Sequence, residues 1–195
     1  MKLTNIFCGT AAAILFLSTM GSGAAAQSTS SSAMTASDTS PISTGDRQFL
    51  KTAAEGGMAE VELGKLASEK GSSDEVKQFG QRMVTDHSKA NEELKQVATS
   101  KGVDVPKNLN AKHKATRDRL AKLSGADFDK AYMKDMVQDH EKDVSEFRAE
   151  STKAKDSEVK GFASKTLPTL EEHLSQAKSI APKVGATMSK TASKM

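Results

Sequence analysis

The chain is poor in residue types that several common functions require. Its 195 residues include one cysteine, Cys8, no tryptophan and a single tyrosine, Tyr132. A lone thiol excludes a disulfide within the chain, and so few aromatic rings leave little surface for stacking on nucleic-acid bases. The 28 basic and 25 acidic side chains nearly balance. We therefore expect a protein that is stabilised by packing and does not bind nucleic acid.

The first 26 residues have the three parts of a secretory signal peptide. Lys2 supplies a positive charge, residues 6–20 are mostly apolar, and Ala24–Ala26 is a small-residue cleavage site. We expect cleavage near Ala26/Gln27 and a periplasmic or secreted mature protein. After this point no apolar run is long enough to span a bilayer, so any association with the cell envelope should be peripheral.

Two polar segments flank the expected folded domain. Residues 27–43 are rich in Ser, Thr and Ala and are predicted to be a disordered linker. Residues 182–195 begin with a proline, carry several lysines and are predicted to be a flexible basic tail. Between them, residues 44–181 show apolar positions at steps of three and four, which predicts helices throughout.

Capping residues and helix stops divide this domain into four long helices and a short one. The long helices are predicted over about 46–70, 72–100, 127–154 and 156–180, with a connecting helix over 111–123. Each long helix has one apolar face. The predicted fold class is therefore all-α: a four-helix bundle made of two helical hairpins with a short connecting helix.

A short motif occurs twice, as MVTDH at residues 83–87 and as MVQDH at residues 136–140. In both copies the histidine, His87 or His140, falls on the apolar face of its helix. His173 and Glu60 occupy the same kind of position on the fourth and first helices. The helical rise places His140 and His173 nearly level, whereas Glu60 and His87 differ in height by roughly 6 Å.

Three imidazoles and a carboxylate are ligands that suit one transition-metal ion. The predicted ligands are His87, His140, His173 and Glu60, and the side chains predicted to orient them are Asp86, Asp139 and Glu172. Met83 and Met136 lie one turn before two of the histidines and would suit copper. Methionine more often fills gaps in a core, so zinc or iron is favoured over copper.

The same residues allow a hypothesis without metal. A buried layer of His–Asp pairs can fix the register of helices in a non-catalytic structural or interaction module. His113, among Lys and Arg on the connecting helix, is expected to be solvated. The sequence contains no nucleophile with an adjacent base, phosphate-binding glycine loop or dinucleotide motif. Enzyme activity is therefore not favoured, and an oxidase with an unusual site is the least favoured alternative.

Several segments of the domain are characteristic when taken together. They are residues 49–64, the two MVxDH motifs, Phe128-Asp129 with Tyr132, and Leu167-Pro168 with His173. Over residues 46–180 the chain resembles an exported bacterial family named domain of unknown function four-one-four-two, whose members are often labelled predicted outer membrane protein. The resemblance implies a ferritin-like bundle in the periplasm or outside the cell, without a known activity.

The resemblance does not extend to iron storage. Di-iron bundles carry a glutamate three residues before a histidine on two of their helices. Here Val84, Val137 and Leu170 stand at those positions. The expected role is metal handling or envelope stress protection, and the stress part rests on family-level analogy alone.

Overall fold

A computed structural model describes residues 41–187 of the protein. The expected signal peptide, residues 27–40 of the expected linker and residues 188–195 of the expected tail lie outside the described residues. Within residues 41–187 the chain is all-helical and contains no strand, which confirms the all-α prediction.

Five α-helices and one short 3-10 helix make up the described part of the chain. They are α1 (Thr44–Lys70), α2 (Asp74–Ser100), α3 (Ala111–Ala121), α4 (Gly125–Lys153), α5 (Ser157–Ile180) and the 3-10 helix Ala181–Val184. The ends differ from the predicted ones by no more than two residues. Ser43, Ser73 and Asp156 each cap a helix through a side-chain oxygen.

The four long helices form two hairpins. In the first, α1 packs along α2, and in the second, α4 packs along α5. The hairpins contact each other mainly through α2 and α5 and less through α1 and α4, while α3 lies chiefly against α1.

The core consists of two apolar clusters that meet at a polar layer. One cluster contains Met83 of α2, and the other contains Leu94 of the same helix. His87 lies between them in the chain. His140 lies between the same two clusters along α4, and His173 lies between them in the opposite chain order along α5. The three buried histidines therefore occupy the level at which one cluster gives way to the other.

The hairpin turns are held by carboxylates from the opposite hairpin. Asp46, in the first turn of α1, accepts hydrogen bonds from the backbone N–H groups of Lys155 and Asp156. Asp129, in α4, accepts from the N–H groups of Ser72 and Ser73 at 2.9 and 2.8 Å. The spacing of Ser43 and Asp46 predicts a capping box, but the Asp46 carboxylate binds across the molecule instead.

The packed part of the chain extends beyond Pro182, where the basic tail was predicted to begin. After the 3-10 helix, Gly185 adopts a left-handed conformation with φ of 73°. This turn lets the Ala186 N–H donate to the Ala181 carbonyl at 2.8 Å, and Ala186 is buried. Across residues 41–187 no helix is both long and apolar enough to cross a membrane.

Candidate metal centre

Three histidines from three helices meet in the core. His87 is on α2, His140 on α4 and His173 on α5, and their exposed fractions are 6%, 0% and 0%. One ring nitrogen of each lies within 4.8 Å of one ring nitrogen of each of the others. The ring centroids are 5.3 to 5.7 Å apart. We call these three residues the histidine cluster.

The hydrogen bonds of two of these rings determine which nitrogen carries the proton. His140 Nδ1 lies 2.9 Å from the Met136 carbonyl oxygen, and His173 Nε2 lies 2.8 Å from Asp86 Oδ2. A carbonyl or carboxylate oxygen can only accept, so both of these nitrogens carry hydrogen. The remaining nitrogens, His140 Nε2 and His173 Nδ1, therefore carry lone pairs when the rings are neutral.

Each ring keeps one buried nitrogen without a hydrogen bond. These atoms are His87 Nε2, His140 Nε2 and His173 Nδ1, and none has a partner among residues 41–187. Buried polar atoms are nearly always satisfied in folded proteins. Three such nitrogens lie in one cluster, and two of them, His140 Nε2 and His173 Nδ1, present lone pairs.

The surroundings keep the imidazoles neutral. Burial lowers the pKa of His140 to about 4, and burial together with the two neighbouring imidazoles lowers the pKa of His87 well below its usual value. Burial also lowers the pKa of His173, although its hydrogen bond to Asp86 opposes that change. Neutral imidazole is the form that binds metal ions.

Glu60, predicted as the fourth ligand, is buried but does not join the three nitrogens. Within the described part of the chain, the group of ligand atoms within 4.8 Å contains the histidines alone. Glu60 instead lines a cavity of about 240 Å³ together with His87. Its Oε2 atom is buried without a partner in residues 41–187. Burial, and then repulsion from Asp143 and Asp139, raises the pKa of Glu60 well above its usual value.

The three predicted orienting carboxylates occupy different places. Asp86 contacts His173 directly. Glu172 is largely exposed and pairs with Arg82, which also pairs with Asp86, so it reaches the histidine cluster only through that arginine. Asp139 lines the cavity beside Glu60, and burial raises the pKa of its carboxyl group.

Some residues near the site could not be identified from the sequence pattern. Arg82 lies one turn before Asp86, and its i,i+4 spacing is the only signal for this pair. Asp143 lines the cavity but carries no motif. His113 was expected to be solvated, but it lines the same cavity and its Nδ1 atom is buried without a partner in the described chain.

Met83 and Met136 are buried, and neither lines the cavity. Both have an exposed fraction of 0% and belong to the apolar cluster that also contains Phe79 and Tyr132. The Phe79 ring meets the His173 ring edge to face at 6.3 Å between centroids. One side of the histidine cluster is therefore covered by apolar and aromatic side chains.

The fold and the site define a class: an all-helical protein with three neutral, buried imidazoles that converge from three helices. The chain belongs to the family described as "Domain of unknown function (DUF4142)", which matches residues 30–180. No functionally curated protein matches the sequence.

Two solved structures have similar folds at low sequence identity. A DUF305 fragment from Deinococcus radiodurans has a TM-score of 0.65 at 12% identity, and the alignment covers 73% of this chain and 99% of that one. CopM in the Cu(I)-bound form has a TM-score of 0.60 at 16% identity, with coverage of 71% and 96%. At such identities the likeness concerns the fold.

Proposed function

We propose that this protein is an exported, ferritin-like four-helix-bundle protein that binds one transition-metal ion through His87, His140 and His173. The observation that carries the proposal is the set of three buried ring nitrogens without hydrogen bonds, one on each imidazole. Export rests on the signal-peptide pattern of residues 1–26. The bundle assignment is supported by the two packed hairpins.

The distances are compatible with a metal site that tightens on binding. Nitrogens held at 2.0–2.1 Å from one ion in tetrahedral directions would lie about 3.4 Å apart. Because the nitrogens lie within 4.8 Å of one another, the rings would have to move inward by at most roughly 1 Å. Asp86 and the Met136 carbonyl already hold the outer nitrogens of two rings, as the neighbours of metal-bound histidines commonly do.

The charge of the ion matters for the choice of metal, because the three imidazoles are neutral. Three neutral imidazoles leave the full charge of the ion uncompensated, and an unpaired buried charge is costly. A cuprous ion leaves one positive charge near Asp86, whereas a zinc or ferrous ion leaves two. The sequence favoured zinc or iron, and the Cu(I)-bound form of CopM supports testing copper beside them. The role that we propose is metal handling or envelope stress protection.

The test is metal binding by protein purified without an affinity tag. We expect one equivalent of Zn²⁺ or Cu⁺ per chain and, at about 100 times Kd, a stabilisation of about 2.7 kcal/mol, which is a melting shift of roughly 8 °C. His140→Leu should lose the bound metal and the shift. His113→Leu is the matched control, because His113 lies outside the histidine cluster, and it should retain both.

A second candidate function is a structural or interaction module without metal. The bond from His173 to Asp86 joins α5 to α2 and favours a role in fixing the packing of the two hairpins. This function predicts that Zn²⁺, Fe²⁺, Cu⁺ and chelator all leave the melting temperature unchanged. Substoichiometric metal in both the wild type and His140→Leu would support it and would overturn the metal site.

A further inference from the structure

A cavity next to the histidine cluster is lined by acidic side chains. Its volume is about 240 Å³, and residues of all five α-helices line it, with His87 shared between the cavity and the histidine cluster. Five carboxylates and two lysines, Lys112 and Lys142, line it, so its charge is net negative. The five are Glu55, Glu60, Asp139, Asp143 and Glu146. We call it the acidic cavity.

Two of its side chains have buried polar atoms without partners. Glu60 is 3% exposed, and its Oε2 atom makes no hydrogen bond to any residue in 41–187. The Nδ1 atom of His113, in α3, is also buried without a partner in these residues. A buried carboxylate oxygen without a donor is costly, so both atoms indicate a missing positively charged or hydrogen-bonding group.

No ion pair joins Lys112 or Lys142 to Glu60, Asp139 or Asp143 in residues 41–187, although both lysines lower the pKa of Asp139 and Asp143 from a longer distance. Lys142 pairs with Glu146 at 3.2 Å, and its side chain is 54% exposed. Glu55 accepts a hydrogen bond from Asn110 at 2.7 Å. Glu60, Asp139 and Asp143 therefore lie together without a paired cation, and burial, followed by repulsion from Asp143 and Asp139, raises the pKa of Glu60. A cation among them would remove this repulsion.

The spacing of these groups favours a hydrated ion. In residues 41–187 only the histidine cluster has three ligand atoms within 4.8 Å of one another. An ion in the acidic cavity would therefore keep part of its water shell. Six waters occupy about 180 Å³ at roughly 30 Å³ each, which the cavity can hold. Hard divalent ions that keep several waters prefer oxygen ligands.

We propose that the acidic cavity is a second cation site, in which Glu60, Asp139 and Asp143 bind a partly hydrated, oxygen-preferring divalent ion. His113 hydrogen-bonds one of the ion's waters through Nδ1. The site is distinct from the histidine cluster in its ligands and in the chemistry of its ion. It does not depend on whether the cluster binds a transition metal.

Mn²⁺ is the probe, because it prefers oxygen ligands and its free form is quantified by electron paramagnetic resonance. At constant ionic strength we expect one Mn²⁺ per chain with Kd on the order of 0.1 mM. Glu60→Gln and Asp143→Asn should each weaken binding roughly tenfold, because each removes one charged ligand. Glu69→Gln removes the same charge from an exposed position on α1 and should leave binding unchanged.

His140→Leu separates this site from the proposed transition-metal site. It should retain Mn²⁺ binding even though it loses Zn²⁺ or Cu⁺. Asp143→Asn should retain Zn²⁺ or Cu⁺ and bind Mn²⁺ roughly tenfold more weakly. If His140→Leu lost Mn²⁺ while Asp143→Asn kept it, the ion would lie at the imidazoles and the proposal would be overturned. Equal weakening in Glu69→Gln and Asp143→Asn would show nonspecific attraction, and no binding up to about 1 mM would overturn the proposal directly. Circular dichroism melts confirm that each variant is folded.

Discussion

At the scale of residues, the environment of each titratable group follows from which helix face it occupies. His87, His140 and His173 could be identified from the sequence because steps of three and four place them on apolar faces, and the structure brings them together. The roughly 6 Å height difference between Glu60 and His87 also agrees with the separate position of Glu60. Asp143 and His113 could not be identified, because their burial depends on where α3 lies against α1.

Asp143 gives a pH-dependent prediction for the metal-free protein. Burial, opposed by Lys142 and reinforced by Asp139, raises the pKa of this carboxyl group to about 7. Its pKa in the unfolded chain is about 3.9. Between these values the folded state binds the proton and the unfolded state does not, so wild-type stability falls as the pH rises. The amide in Asp143→Asn does not titrate, so this variant should not show the fall in stability with pH that Asp143 causes.

The measurement is urea unfolding of both proteins in chelator at pH 5 and pH 8. Relative to the wild type, Asp143→Asn should gain about 2 kcal/mol between these two pH values. This is less than the full effect of the pKa difference, because the side chain is partly exposed. A stability difference that is the same at both pH values would contradict the raised pKa.

At the scale of elements, the local sequence determined the helices well. Ser43, Ser73 and Asp156 have oxygen side chains that cap α1, α2 and α5, and such caps can be recognised without tertiary information. Asn110 caps α3 in the same way. The distance between packed helices could not be predicted, since it depends on which small residues face each other. In the first hairpin these residues are Gly64 and Gly80.

Gly80 should not tolerate a side chain. A Cβ atom there would lie 2.7 Å from the Gly64 carbonyl oxygen and 2.7 Å from Ala67 Cβ, so α1 and α2 would have to separate. We expect Gly80→Ala to lower the free energy of unfolding by about 2 kcal/mol. The measurement is chemical denaturation, with Gly161→Ala in α5 as the matched control.

The control should change stability in the opposite direction. A Cβ atom at Gly161 meets nothing within 4 Å, and the residue is exposed. Alanine there should raise the free energy of unfolding by up to about 1 kcal/mol through helix propensity. If both variants changed stability equally, helix propensity rather than close packing would account for Gly80.

At the scale of the whole molecule, the two hairpins are joined at their ends by carboxylate–backbone hydrogen bonds. Asp46 in α1 binds the turn before α5, and Asp129 in α4 binds the turn before α2. Each hairpin therefore fixes the turn of the other. An aspartate in the first turns of a helix is common for electrostatic reasons, so the helix pattern alone did not show that these two bind across the molecule.

Replacing Asp129 tests this connection between the hairpins. In Asp129→Asn the amide has one acceptor oxygen, and its NH₂ group replaces the other acceptor, so at least one of the part-buried hydrogen bonds from Ser72 and Ser73 is lost. Hydrogen bonds to charged groups are worth about 1.5–3 kcal/mol, and we expect a loss of about 2 kcal/mol in the free energy of unfolding.

Asp127→Asn is the control, because Asp127 is exposed in the first turn of the same helix and should lose less than about 1 kcal/mol. Hydrogen exchange adds a local readout, since faster exchange at Ser72 and Ser73 than at Asp156 is expected only if Asp129 holds that turn. Equal losses in the two variants, with unchanged exchange, would mean that the turn is held by the packing of α1 and α2 alone.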